Sequence, residues 1–126
     1  MKVEHFGGRV ELSADDAVDS VLEQRFGGRW NEYWVSGDEK YPALAILVAG
    51  DTACVHYFPE DGHPGFISVS KNNNAQGTVE FRTNTIQEKI EVPKSAVVPL
   101  SDARGVFIQF LENRGELPSA IEWLEL

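Results

Sequence analysis

The stretch Pro42–Phe58, PALAILVAGDTACVHYF, decides how the rest of this chain is read. Two apolar runs, ALAILVA and TACVHYF, flank Gly50-Asp51, a dipeptide suited to a two-residue type I′ or II′ hairpin turn. With that turn, Val48 pairs with Ala53, Ile46 with Val55 and Leu44 with Tyr57. Side chains alternate along a strand, so Leu44, Ile46, Val48, Ala53, Val55 and Tyr57 share one face. Ala43, Ala45, Leu47, Ala49, Thr52, Cys54, His56 and Phe58 share the other. Both faces are largely apolar, which places the hairpin centrally in a sheet, with His56 opposite Ala45 on the second face.

Towards the N-terminus, residues 1–6 alternate weakly and stop at Gly7-Gly8, a short strand. Ser13 opens a helix, with Asp16 three residues on as a looser capping box. Ala14, Ala17, Val18, Val21 and Leu22 fall on one helical face, and Asp15, Asp16, Asp19 and Glu23 on the other. That acidic stripe is either a partner surface or a solvated face. Phe26-Gly27-Gly28 ends the helix, and Trp30–Val35 reads as an aromatic-rich strand. Trp30, Trp34 and Trp123 are assigned to core packing.

Towards the C-terminus, Pro59–Gly65 holds two prolines and two glycines, a compact and restrained loop. A strand over 66–70, a polar loop over 71–76 and a hairpin from Thr78–Phe81 and Thr85–Val92 follow, with Ile86, Ile90 and Val92 facing one way. Ser101 caps a second helix whose apolar stripe is Ala103, Val106, Phe107, Phe110 and Leu111, and Gly115 with Pro118 stops it. The sum is one α+β domain over residues 1–126: a mostly antiparallel sheet of about six or seven strands with two helices.

Composition bounds the function. With 42% hydrophobic and 25% charged residues the chain is globular, and no apolar run nears the ~20 residues of a transmembrane helix. The start, MKVEHFGGRV, has no signal-peptide core, so a cytoplasmic location is expected. The single cysteine, Cys54, allows no intramolecular disulfide and no multi-cysteine metal site, and packing is its expected role. A net charge of −9 makes nucleic acid and anionic membrane poor partners and a basic protein a good one. The same charge also serves solubility alone.

Chemistry is hard to find. His5 is isolated; His56 and His63 bracket Glu60 and Asp61, but H-x₆-H matches no metal motif with a mechanism behind it. No G-x-S-x-G elbow, Walker loop or zinc-deaminase signature is present. No catalytic residue, metal or cofactor is therefore expected. A small enzyme using paired carboxylates or His56/His63 stays as a weaker alternative.

Pro42-x-Leu44-x-Ile46, Ala53-Cys54-Val55-His56-Tyr57-Phe58 and Gly62-His63-Pro64-Gly65-Phe66-x-Ser68 together resemble the centre of the Imm1 family of immunity proteins. Phe81, Val97-Val98-Pro99-Leu100 and Glu122-Trp123-Leu124-Glu125 fit the same pattern, so the resemblance spans roughly residues 30–126. It implies a bacterial antidote that binds a cognate toxin one-to-one and covers its active site, the toxin being of the nucleic-acid deaminase type. The free antidote is then expected to be a monomer. Between Lys40 and Lys71 there is no Lys or Arg, while Asp51, Glu60 and Asp61 sit at predicted turns. Asp51, Glu60, Asp61, His63 and Phe66 are thus the candidate toxin contacts, acids beside an aromatic anchor. The rival reading keeps the 59–66 loop for structure, with Phe66 in the core. A general adaptor domain without a toxin is the other alternative.

Overall fold

A computed structural model describes residues 1–13, 18–72 and 74–126. In chain order its elements are β1 (Lys2–His5), β2 (Gly8–Glu11), α1 (Val18–Leu22), β3 (Trp30–Ser36), β4 (Ala43–Ala49), β5 (Thr52–Phe58), β6 (Phe66–Val69), β7 (Thr78–Arg82), β8 (Lys89–Pro93), a 3₁₀ turn (Lys94–Ala96), β9 (Val98–Pro99), α2 (Leu100–Glu112) and β10 (Glu122–Glu125). The main sheet has eight strands in the order β10-β6-β5-β4-β3-β1-β2, with β9 added beside β5, and β7 and β8 form a separate ribbon. All of these pairings are antiparallel. The α+β class read from the sequence is the observed one.

The central hairpin has the expected register: Val48 lies opposite Ala53, Ile46 opposite Val55 and Leu44 opposite Tyr57. Gly50 has φ 58° while Asp51 is not in the left-handed region, which selects a type II′ turn and excludes I′. Leu44, Ile46, Val48, Ala53, Val55 and Tyr57 join Val18, Val21 and Leu22 of α1 and the Ala103–Leu111 stripe of α2 in the main core. On the opposite face Leu47, Ala49 and Cys54 pack against Phe81, Val92 and Ala96, so the β7–β8 ribbon is a third layer. The ribbon covers Leu47 and Ala49, and the stacked Trp34 and Phe58 rings lie over Ala43 and Ala45, so every residue of β4 is buried. Fully burying each large apolar side chain there contributes about 1.5–3 kcal/mol.

The junctions depart from the sequence expectation. Helix α2 starts at Leu100, and Ser101 lies in its first turn with no side-chain cap. Long-range pairing sets that start: Pro99 lies opposite Thr52, and the Leu100 N–H donates to the Asp51 carbonyl at 2.8 Å, so one helix-end donor is satisfied by the hairpin. At the other end Arg114 has φ 54° and the Gly115 N–H reaches the Phe110 carbonyl at 3.0 Å, a Schellman closure. Thr85–Val92 is strand only from Lys89 onward, since Thr85–Glu88 forms a turn closed by Glu88 N–H to the Thr85 carbonyl. The readings of Ala14, Asp15, Asp16 and Ala17, including the Ser13/Asp16 capping box, lie outside the described residues. No helix among the described residues is long and apolar enough to cross a membrane.

Candidate functional site

The five candidate contact residues do not form one patch. Asp51 is exposed at the turn that begins β5, whereas Glu60, Asp61, His63 and Phe66 follow its far end. A strand rises about 3.4 Å per residue, so the length of β5 holds the two groups roughly 20 Å apart.

Within the 59–66 loop the residues divide by role. The His63 ring stacks on Phe66, centroids 5.4 Å apart and planes 9° from parallel. Its Nδ1 accepts the Gly65 N–H at 2.8 Å, so the proton sits on Nε2, which donates to Glu125 of β10 at 3.1 Å. Phe66 packs against the main core and tilts against Tyr57 at 6.0 Å. Gly65 has φ 96°, and a Cβ there would lie 2.9 Å from the Tyr57 carbonyl oxygen, so glycine is required. His63, Gly65 and Phe66 therefore hold the loop in shape. Glu60 and Asp61 are exposed and take part in no ion pair among the described residues.

The titratable groups of the hairpin offer little to a reaction. Cys54 is fully buried and burial pushes its thiol up to about 11, so it is neither thiolate nor accessible. Burial also lowers the His56 pKa. His56 projects from the outer face of the sheet, while His63 lies with Phe66 on the core side, so the two histidines do not converge. No group of three or more His, Cys, Asp or Glu that could hold a metal is found among the described residues.

Sequence reasoning missed a second surface. Trp30 and Trp123 do pack, but Trp34 is 41% exposed. It stands on the outer face in the cross-strand row Glu4, Trp34, Ala45, His56, Ile67. Its ring stacks on Phe58 at 5.7 Å and 17°, and Phe58 stacks on His56 at 5.7 Å and 13°. Trp34 and Phe58 come from strands on either side of β4, and they meet only because β4 offers the small Ala43 and Ala45 beneath them. The β7–β8 ribbon covers the Leu47 and Cys54 end of this face and leaves the Trp34 end open. The alanines of β4 and the polar Glu32 between two tryptophans were the readable signals.

The chain matches the family model of Immunity protein Imm1 over residues 7–125. It belongs to the Imm1 immunity protein family. Its role is accordingly toxin immunity, and its partner is a protein toxin. No curated protein matches the chain. For an Imm1 protein the relevant question is which exposed groups meet that toxin. The geometry offers two sets, the acids of the 59–66 loop and the aromatic end of the outer sheet face.

Proposed function

We propose that this Imm1 protein neutralises a nucleic-acid deaminase toxin in the cytoplasm by binding it as a monomer, one-to-one, and occluding its active site. The observation that carries this reading is the acidic end of the sheet. Glu60 and Asp61 project freely from the β5–β6 loop, and Glu125, tied to that loop through His63, and Glu122 lie on the adjoining edge strand β10. A deaminase that acts on nucleic acid presents a cationic substrate groove, and carboxylates can occupy it in place of phosphates. Glu60 and Asp61 are the direct contacts in this reading, His63 and Phe66 hold them in position, and Asp51 makes a separate contact at the start of β5. A conventional interface takes roughly 800 Å² from each partner, a modest share of the 6932 Å² surface.

The test is titration of the purified toxin domain with this chain while base conversion in nucleic acid is followed. Activity should vanish at one equivalent, and Glu60→Lys with Asp61→Lys should require a large excess. A toxin that still converts its substrate inside the complex overturns occlusion. An active toxin that deaminates neither cytosine nor adenine overturns the deaminase assignment and leaves the immunity role intact.

A further inference from the structure

We propose that Trp34 and Glu4 form a docking site for an arginine side chain of the toxin, the guanidinium stacking on the indole and the carboxylate receiving its N–H groups. This rests on the toxin-binding role and adds a contact on the outer sheet face, away from the acidic loop. The molecule itself shows the chemistry. Trp30 lies four residues earlier on the same face of β3, and the Arg82 guanidinium sits 3.9 Å from its ring centroid. Glu80 holds that arginine at 2.9 Å. A tryptophan on this face is thus capped by a cation that a neighbouring carboxylate orients.

Trp34 repeats the arrangement with no cation over its ring among the described residues: Arg9, opposite Glu4 on β2, lies 3.7 Å from Glu11 instead. Glu4 is its cross-strand partner on β1, exposed and in no ion pair among the described residues. The Trp34–Phe58–His56 stack fixes the indole from one side, so its free area is presented rigidly. Shallow cavities of about 400 and 270 Å³ flank it, and Glu4 and Trp34 line both. Lys2 and Lys40 border the larger one, but Lys40 lies over Tyr41 at 5.6 Å and neither lysine pairs with Glu4. Arginine suits the site better than lysine because its planar, weakly hydrated group stacks and hydrogen-bonds at once. A nucleobase would also stack on Trp34, but Glu4 and the net charge of −9 repel the phosphates that accompany it.

The experiment measures toxin affinity for the wild-type chain and for Trp34→Ala and Glu4→Gln, with thermal unfolding as the fold control. Trp34→Ala should weaken binding roughly tenfold and Glu4→Gln roughly threefold, the range of a partly exposed cation–π contact and its ion pair. One arginine of the toxin, changed to alanine, should weaken wild-type binding similarly and add nothing to Trp34→Ala. Glu4→Gln leaves the packing untouched and so decides the matter even if Trp34→Ala unfolds. Wild-type affinity in both variants overturns the arginine site while the immunity role stands. Tighter binding of short single-stranded nucleic acid than of toxin at Trp34 overturns it in favour of a base-stacking site. A wild-type chain that neither binds nor neutralises the toxin overturns both proposals together.

Discussion

Asn31 shows how a single buried polar residue ties the fold. It is fully buried; its Oδ1 accepts the Phe6 and Glu32 N–H groups at 3.1 and 2.8 Å. Its Nδ2 donates to the Gln24 carbonyl at 3.0 Å and to the Tyr33 hydroxyl at 3.0 Å, and that hydroxyl donates to Val21 at 2.6 Å. The end of β1, the end of α1 and β3 are joined at one side chain. Asn31→Ala leaves several buried donors and acceptors unpaired, so it should cost about 3 kcal/mol, read from urea unfolding with an unchanged slope. His56 carries a different prediction. Burial alone lowers its pKa below the ordinary 6.5, so the folded protein favours the neutral ring. The stability it contributes is full above about pH 6.5 and is lost as pH falls through the lowered folded-state pKa. Unfolding free energy should therefore drop between pH 7.5 and 5, and the drop should be smaller in His56→Gln. His5, lowered by burial in the same sense, keeps part of the slope. Equal slopes in variant and wild type would remove His56 as a cause.

Among the elements, the β7–β8 ribbon makes the second core. Phe81 packs in one cluster with Leu47, Ala49 and Cys54 and is its largest fully buried side chain. Phe81→Ala should cost about 4 kcal/mol by opening a cavity. It should also make Cys54, inert in the wild type, reactive towards a thiol reagent below the unfolding midpoint. Thiol labelling as slow as in the wild type would mean that other side chains close the gap. The elements also show what a sequence can reveal. The β4–β5 hairpin is legible because its turn dipeptide and its pairing are local, and the α2 stripe because 3.6-residue spacing is local too. The start of α2 is not, because β9 pairs with β5 across the chain and displaces Ser101 from the cap. The strand β10 is hidden for the same reason: Glu122–Glu125 gains its partner, β6, only in the folded chain. Exposure of Glu60 and Asp61 follows from turn chemistry, but their separation from Asp51 follows from the length of β5. The open Trp34 surface depends on how far the β7–β8 ribbon reaches, which no local pattern encodes.

At the scale of the molecule, charge and shape divide the work of binding. With 20 acidic and 11 basic side chains, at least nine carboxylates have no basic side chain to pair with singly, and Arg82 and Arg104 are already held by Glu80 and Asp19. The excess therefore acts outward, as a field that draws a cationic partner over distances limited by screening, about 10 Å at 0.1 M salt and about 3 Å at 1 M. Such a field changes how fast partners meet, whereas desolvated stacking changes how slowly they part. The association rate with the toxin should fall at least tenfold between low and high salt while the dissociation rate stays nearly constant, as measured by stopped-flow mixing. Glu60→Lys with Asp61→Lys should lower the association rate and flatten its salt dependence. Trp34→Ala should leave both unchanged and raise the dissociation rate alone. An association rate indifferent to salt would reduce the charge of −9 to a solubility device, and toxin recognition would then rest on the packed surfaces.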